Sequence, residues 1–514
     1  MASTTELELT PDGVAASDVV DVARHDRPVR LGPAARARIE ASAAVVDRLA
    51  AGEQPVYGVS TGFGSLANTA IATDRRAELQ QAIVRSHAAG MGAPVEREVV
   101  RAMVLLRART LAMGYSGVRP QVVDAMLALL NAGVTPVVRE YGSLGASGDL
   151  APLASCALVL LGEGEATLAD GRTADGGEAL ATAAVEPLTL TAKEGLALVN
   201  GTDGMLGMLV LALHDLGHLL VVADVVAAMT VEALLGTDRA FAEDLQQLRP
   251  HPGQVRSAAN LRTLLAGSEI VASHRLGDDR VQDAYSLRCT PQVHGAARDT
   301  VAFAMGVADV ELAAAIDNPM ILPDGRVESC GNFHGAPLAH AADYLAIAVA
   351  DVGAIAERRT DRMLDRTRSY GLPPFLTDDA GVFSGMMIGH YTQAAMTAEN
   401  RRQATPASVD SLPTSAMQED HVSLGWSATR RLRLVLDNLR RILAVELVCA
   451  ARGLEFRAPL CPAPGTGAAL AALRQAVPGA AADRWVAPEL AAAETLLSAG
   501  AIEDAVAAAV GPLS

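Results

Sequence analysis

Lysine is almost missing from this chain. Among 514 residues there is one, Lys193, and arginine supplies the remaining cationic charge. Chemistry that needs a lysine Schiff base, pyridoxal phosphate chemistry included, therefore has a single candidate. Aromatic residues are scarce as well, at 3%. The five cysteines (Cys156, Cys289, Cys330, Cys449, Cys461) form no CxxC pair and are odd in number. That spacing offers neither a zinc site nor a disulfide framework, and it reads as reduced thiols in a cytoplasmic protein. The segment "MASTTELELTPDG" has no basic and no apolar leader region, so no secretory signal is expected. GxxxxGK[ST] and HExxH are both lacking.

Acidic groups outweigh basic ones, for a net charge of −17. This argues against nucleic acid or an anionic membrane as the main partner. Half of the residues are hydrophobic, enough for a large core. Length alone allows about three or four domains. The most apolar long stretch, Met205 to Gly236, contains His214, Asp215, His218, Asp224 and Glu232. A bilayer span would pay heavily for those groups, so a buried helix is expected.

The periodicity is helical almost throughout. Leu432, Leu436, Leu439 and Leu443 recur at helical spacing, with Arg433, Arg440 and Arg441 opposite. Leu345, Val349, Val352 and Ala356 repeat the pattern. Strand candidates are few: "PVYGVST" and "GRVES". The fold class predicted is mainly α, a bundle of long helices whose apolar faces call for partners, subunits included. Glycine- and proline-rich breakers separate the helices, and a division near residue 200 is expected, into 1–200 and 201–514.

Several local patterns carry chemistry in principle. "GFGSLA", Gly62 to Ala67, satisfies G-x-G-x-x-A, yet "NTAIATD" follows where a helix should open and no acid stands where the ribose needs one. NAD is therefore not expected. His214 and His218 have metal-ligand spacing but no evident third ligand, so no metal is expected. "QEDHVS", Gln418 to Ser423, read alone is a polar helix start. "YGSLGASGDLAPLA", Tyr141 to Ala154, has two readings. Ser147 or Asp149 caps the helix that follows. Alternatively Ala146-Ser147-Gly148 cyclises: the unhindered Gly148 nitrogen attacks the Ala146 carbonyl carbon, and loss of water from the ring and of the Ser147 hydroxyl leaves an exocyclic alkene. Glycine permits the bend, serine provides a leaving group and alanine is small.

The tripeptide does not stand alone. "VYGVSTGFGSLA" (56–67), "VRSHAAGMG" (84–92), "AKEGLALVNGTDGM" (192–205), "RVQDAYSLRCTPQV" (280–293), "IDNPMIL" (316–322), "CGNFHGAP" (330–337) and "VDSLPTSAMQEDHVS" (409–423) follow in an order that resembles the aromatic amino acid ammonia-lyase family, in particular its histidine-specific members. The resemblance runs from about residue 50 to 450. It implies the long-helix fold of the ammonia-lyase and fumarase-like superfamily. It also implies a 4-methylidene-imidazol-5-one (MIO) group made autocatalytically from Ala146, Ser147 and Gly148, and conversion of L-histidine to trans-urocanate and ammonia, the first step of histidine degradation. Tyr57 would remove the β-proton, its phenol lowered by positive potential from a free pKa of ~10. Arg288 would bind the substrate carboxylate, with Tyr285 and Gln282 lining the pocket. Asn200 would bond the MIO and the carboxylate, Phe333 would pack beside the ring, and His87 and Glu419 would select imidazole. Asp149 would assist cyclisation or cap the next helix. Met417 and Ser60 stand where some histidine-specific members carry Asn. A homotetramer with active sites drawn from three chains is implied too. A fumarase–aspartase type of lyase is a poorer match, because its serine loop carries a lysine after Met-Pro and Lys193 lies in "TAKEGL". A phenylalanine or tyrosine ammonia-lyase, or an aminomutase, would share the electrophile and differ at His87 and Glu419.

Overall fold

A computed structural model of the chain describes residues 5–52 and 56–514. Residues 1–4, where the segment read for a leader begins, and residues 53–55, which include the first residue of "PVYGVST", lie outside them. Two compact units emerge. The first is Met1–Leu211 with Met305–Asp343 and Pro406–Arg430; the second is Ala212–Ala304 with Tyr344–Thr405 and Arg431–Ser514. A division at residue 200 treats the chain as consecutive blocks, whereas these units are discontinuous. Four of their five breaks fall inside long helices, Asp203–Ala233, Thr290–Ala313, Ala336–Leu364 and Gly425–Glu455, and the fifth follows the helix Met387–Gln403.

The first unit is built on the helix Arg97–Ala112, which buries every residue from Val99 onward. Three of those residues are arginines, at most 1% exposed. A buried guanidinium is tolerable only when its donors are used. Arg101 donates to the carbonyls of Val22 and Leu130, Arg107 to those of Asn200 and Ile316, and Arg109 to those of Ala314 and Glu311. Burial pulls Arg101 and Arg109 down to about 10, so both remain cations at neutral pH. The strands are short ribbons: Leu7–Leu9 beside Val29–Leu31, Met91–Pro94 beside Arg139–Tyr141, and a three-stranded sheet in which Glu165–Thr167 lies between Thr135–Pro136 and Thr173–Asp175. "GRVES" gives the strand Val327–Glu328, paired with Met320–Ile321. "PVYGVST" does not form a strand. Val59 and Ser60 both donate to the Val56 carbonyl and Gly58 has φ +73, so the segment is a turn with one bridge, Thr61 to Ala70.

The second unit is helical. Leu432, Leu436, Leu439 and Leu443 are all buried on one stripe. The apolar stretch near residue 220 is a helix, and its acids have protein partners. Asp224 accepts from Ser257 (2.6 Å), His294 (2.7 Å), Asn260 (2.9 Å) and Arg298 (2.7 Å). His218 faces Glu503 at 3.4 Å. Asp203–Ala233 and Ala336–Leu364 are long and apolar enough to cross a membrane, yet their most apolar windows are 72% and 67% buried by the chain itself. All five cysteines are free thiols.

Candidate active site

The first unit holds a cavity of about 460 Å³ whose walls include Tyr57, Gly64, His87, Ser147, Asn200, Ser415 and Glu419. Five of these were singled out by sequence. They arrive from five chain regions, each fixed by its own local structure.

Tyr57 sits in the Val56–Ser60 turn, where its phenol oxygen accepts the Gly64 amide at 3.3 Å. "GFGSLA" is a loop with one three-residue turn, Gly64–Leu66, not the opening of a long helix, so the dinucleotide geometry is absent there. His87 ends the helix Arg76–His87 and meets the Ser86 hydroxyl at 3.1 Å. Burial holds its imidazole below the ordinary value, against the Ile83 carbonyl and Glu419, which pull upward. Glu419 closes a tight hairpin. It exchanges backbone hydrogen bonds with Thr414 and accepts the Thr414 hydroxyl at 3.1 Å. "QEDHVS" is therefore loop, and the next helix starts only at Gly425.

Ala146-Ser147-Gly148 is a tight bend. Ser147 has φ +52 and Gly148 φ +81, left-handed values that glycine tolerates and serine adopts at a cost. The Gly148 amide faces the Gly145 carbonyl at 3.4 Å, and Gly148 is bridged to Gly201. A Cβ at Gly148 would stand 2.0 Å from the Gly201 oxygen, so only glycine fits. The bend is made of small residues, is pinned on its glycine side and lines the cavity through Ser147.

Asp149 departs from both sequence readings of it as a cap. It stands at the N-cap of Leu150–Leu160, but its side chain makes no bond to that helix. It reaches the start of Asp203–Ala233 instead, accepting the Gly204 and Met205 amides, each at 2.9 Å, and the Ser143 hydroxyl at 2.9 Å. Burial outweighs these bonds and pushes its carboxyl up to about 7.

The positive potential expected around Tyr57 is not what these residues provide. Burial raises the phenol above its ordinary value, and the charges of Glu419 and Asp317 raise it further; only the Gly64 amide pulls the other way.

Gln282, Tyr285 and Arg288 belong to the second unit and are not among the residues lining this cavity. Gln282 is exposed; the Arg288 guanidinium lies 4.6 Å from the Tyr285 ring centre, and its Nε is buried without a partner. Phe333 is half-buried in the 331–335 turn and is also not among the lining residues. Sequence reasoning missed Asp317. Lys193, noticed only as the one amine able to form a Schiff base, donates to Asp317 at 2.6 Å with both side chains fully buried. Burial pulls its ammonium down and Asp317 opposes that. Asp317 also accepts the Asn200 amide at 2.9 Å.

The aromatic amino acid lyase family model matches residues 14–475. The chain belongs to that family. This lyase is 59% identical, over 98% of both chains, to a histidine ammonia-lyase of Streptomyces griseus. Among solved structures it is similar to a tyrosine aminomutase from Streptomyces globisporus, with a TM-score of 0.93, 36% identity, and coverage of 99% of this chain and 100% of that one. It is similar too to a histidine ammonia-lyase from Trypanosoma cruzi, with a TM-score of 0.90, 38% identity, and coverage of 98% and 96%. The long-helix fold expected from sequence is the fold of these aromatic amino acid lyases.

Proposed function

We propose that this lyase converts L-histidine to trans-urocanate and ammonia. The observation that carries the reading is one cavity shared by the bent Ala146-Ser147-Gly148 segment, Tyr57, His87 and Glu419. The names of its relatives support the same substrate.

The amine is a poor leaving group and the β-proton is weakly acidic. A positioned base supplies ~10²–10⁴-fold, about 3–5 kcal/mol, while enzymes commonly lower barriers by ~8–23 kcal/mol. A base alone is insufficient. An MIO formed from residues 146–148 would supply the electrophilic chemistry that turns the substrate amine into a better leaving group. Tyr57 removes the β-proton, and the Gly64 amide on its oxygen favours the phenolate. Glu419 accepts a hydrogen bond from the substrate imidazole. Its other oxygen is held by Thr414, which fixes the direction of the carboxylate. His87, kept neutral by burial, faces the same ring. Arg288, Tyr285, Gln282 and Phe333 do not line this cavity; supplied to it by other copies of the chain, Arg288 would clamp the substrate carboxylate through its planar fork and the other three would complete the pocket. A homotetramer would bring residues from other copies of the chain into each site.

Incubation with L-histidine, L-phenylalanine and L-tyrosine, followed by ultraviolet absorbance, tests the substrate. Urocanate is expected, with no cinnamate or coumarate at comparable rates. An aminomutase would return a β-amino acid and no ammonia. Intact mass tests the prosthetic group: the active protein should be two waters lighter than its sequence, and Ser147→Ala should restore the full mass and abolish turnover. An unreduced mass in active enzyme overturns the cyclised tripeptide.

A further inference from the structure

The hairpin that carries Glu419 contains an uncommon run of backbone. Ser415, Ala416 and Met417 follow one another at φ +50, +51 and +71. None is glycine, and other L-residues visit this region singly and at a cost. Strain of that kind persists only where the surroundings over-determine it, and it collects at functional sites. Here the hairpin's own hydrogen bonds hold it. Thr414 and Glu419 exchange backbone bonds at 2.9 and 3.3 Å, and the Met417 and Gln418 amides donate to the Thr414 and Ser415 carbonyls, each at 3.1 Å. The turn sets Ser415 on the cavity wall, where its hydroxyl oxygen accepts the Ser65 amide at 3.3 Å. The preceding amide in the chain, that of Gly64, donates to the Tyr57 phenol oxygen, also at 3.3 Å. Two consecutive amides of one loop thus meet two side-chain oxygens, one on the tyrosine and one on the hairpin. The packing is close: a Cβ at Gly64 would lie 2.5 Å from the Ser415 hydroxyl oxygen and 3.7 Å from a Glu419 oxygen.

We propose that Ser415 is a positioning residue, which by holding the Ser65 amide fixes the neighbouring Gly64 amide on Tyr57, while Thr414 beside it in the same hairpin aims Glu419. One left-handed turn thereby sets both the proton-abstracting phenol and the imidazole-selecting carboxylate, through two adjacent side chains. The phenol is faced by the Glu419 and Asp317 carboxylates, which disfavour the phenolate, and by the Gly64 amide, which favours it. Asp317 is itself paired with Lys193, and burial holds the His87 imidazole below its ordinary value. Loosening the Gly64 amide therefore moves the titration of the phenol upward. The inference rests on Tyr57 as the base and Glu419 as the imidazole acceptor, and names the residue that holds the first of them in place.

Two readouts on the intact full-length enzyme separate the two arms of the hairpin. The alkaline limb of kcat/KM for L-histidine reports Tyr57. Calorimetry with imidazolepropionate, which keeps the imidazole and carboxylate but has no amine to eliminate, reports Glu419. Ser415→Ala should move the limb up by about half a pH unit or more, lowering kcat/KM below the limb about threefold or more, and leave imidazolepropionate within about twofold. Ser415→Gly removes the same hydroxyl and releases the left-handed cost, so it should repeat the shift if the alanine variant does not fold. Thr414→Val should do the reverse, weakening imidazolepropionate by about fivefold or more and leaving the limb where it is. A purely structural role for Ser415 would change both readouts together. An unmoved limb in the Ser415 variants, or an equal loss of imidazolepropionate affinity, overturns the inference while leaving the substrate reading intact. A Tyr57→Phe enzyme that keeps the limb, or native enzyme that fails to bind imidazolepropionate, overturns the reading beneath it, and this inference with it.

Discussion

Asp149→Asn removes a charge from the interior while keeping its shape. In the native chain one Asp149 oxygen accepts the Gly204 and Met205 amides and the other accepts the Ser143 hydroxyl. Asparagine can leave its carbonyl on the two amides and offer its NH₂ to Ser143, so the helix start at Asp203 stays capped. What changes is the proton. The folded carboxyl is pushed up to about 7, against about 4 in an unfolded chain. Between those values the folded protein holds a proton that the unfolded chain releases. Raising the pH therefore favours unfolding. The stabilising contribution is complete below pH ~4 and lost as pH passes through ~7. Three pH units at about 1.4 kcal/mol each make about 4 kcal/mol.

Urea unfolding from pH 4 to 8, followed through Trp426, measures it. Trp426 is buried over Gly204, while the other tryptophan, Trp485, is exposed and can be replaced by phenylalanine. The stability of Asp149 protein relative to Asp149→Asn should fall by about 4 kcal/mol across that range. Asp149→Ala should cost roughly 1–3 kcal/mol for each stranded amide at every pH. A difference between the aspartate and asparagine proteins that stays flat from pH 4 to 8 refutes the reasoning.

Two further outcomes follow from the same geometry. Gly148→Ala would press a methyl group against the Gly201 oxygen at a backbone of φ +81, so the bend should not form; intact mass should show no loss of water and turnover should be absent. A variant with normal mass loss would show that the bend tolerates a side chain. Tyr57→Phe should lower kcat by ~10²–10⁴. Burial, Glu419 and Asp317 hold the phenol above its usual value, so native kcat/KM should climb with pH into the alkaline range as Tyr57 deprotonates, and that limb should vanish in the phenylalanine variant. Retention of the limb assigns it to another group.

Much of this was legible in sequence, for identifiable reasons. The leucine stripe at 432–443 follows from periodicity and the helix after Asp203 from a long apolar run carrying ionisable groups, both of them local properties. The cavity residues Tyr57, His87, Asn200 and Glu419 were named through resemblance to a family, whereas Ser147 stood out first from its own Ala-Ser-Gly neighbourhood. "PVYGVST" has β-branched and aromatic residues suited to a strand, but Gly58 turns left-handed and the Ser60 hydroxyl takes the Val56 amide, which closes a turn. Asp149 reads locally as a cap for the helix beside it, and its real targets lie more than fifty positions away. Lys193 and Asp317 are farther apart still, and no local pattern pairs them. The field at Tyr57 is set by Asp317 and Glu419, so its sign was invisible until the chain was folded.

Two of these misses, the targets of Asp149 and the partner of Asp317, meet in the segment from Lys193 to Met205, which ties several parts of the site together. Gly201 gives its carbonyl to the Asp149 amide at 2.7 Å, which fixes the tripeptide bend. A Cβ at Gly201 would stand 2.2 Å from the Arg107 guanidinium, which in turn holds the Asn200 carbonyl and Asp203. Gly204 and Met205 take the Asp149 carboxylate. The tripeptide bend, Asn200 and the start of a 31-residue helix thus hang on one short stretch of backbone. Ser147 and Asn200 are both tied to that stretch, one through the Gly148–Gly201 bridge and the other through its own backbone. Buried charge at Asp149, Asp203, Arg107, Lys193 and Asp317 is concentrated around it. There the backbone supplies hydrogen bonds that offset part of the cost of desolvating these groups, while at Asp149 burial still outweighs them.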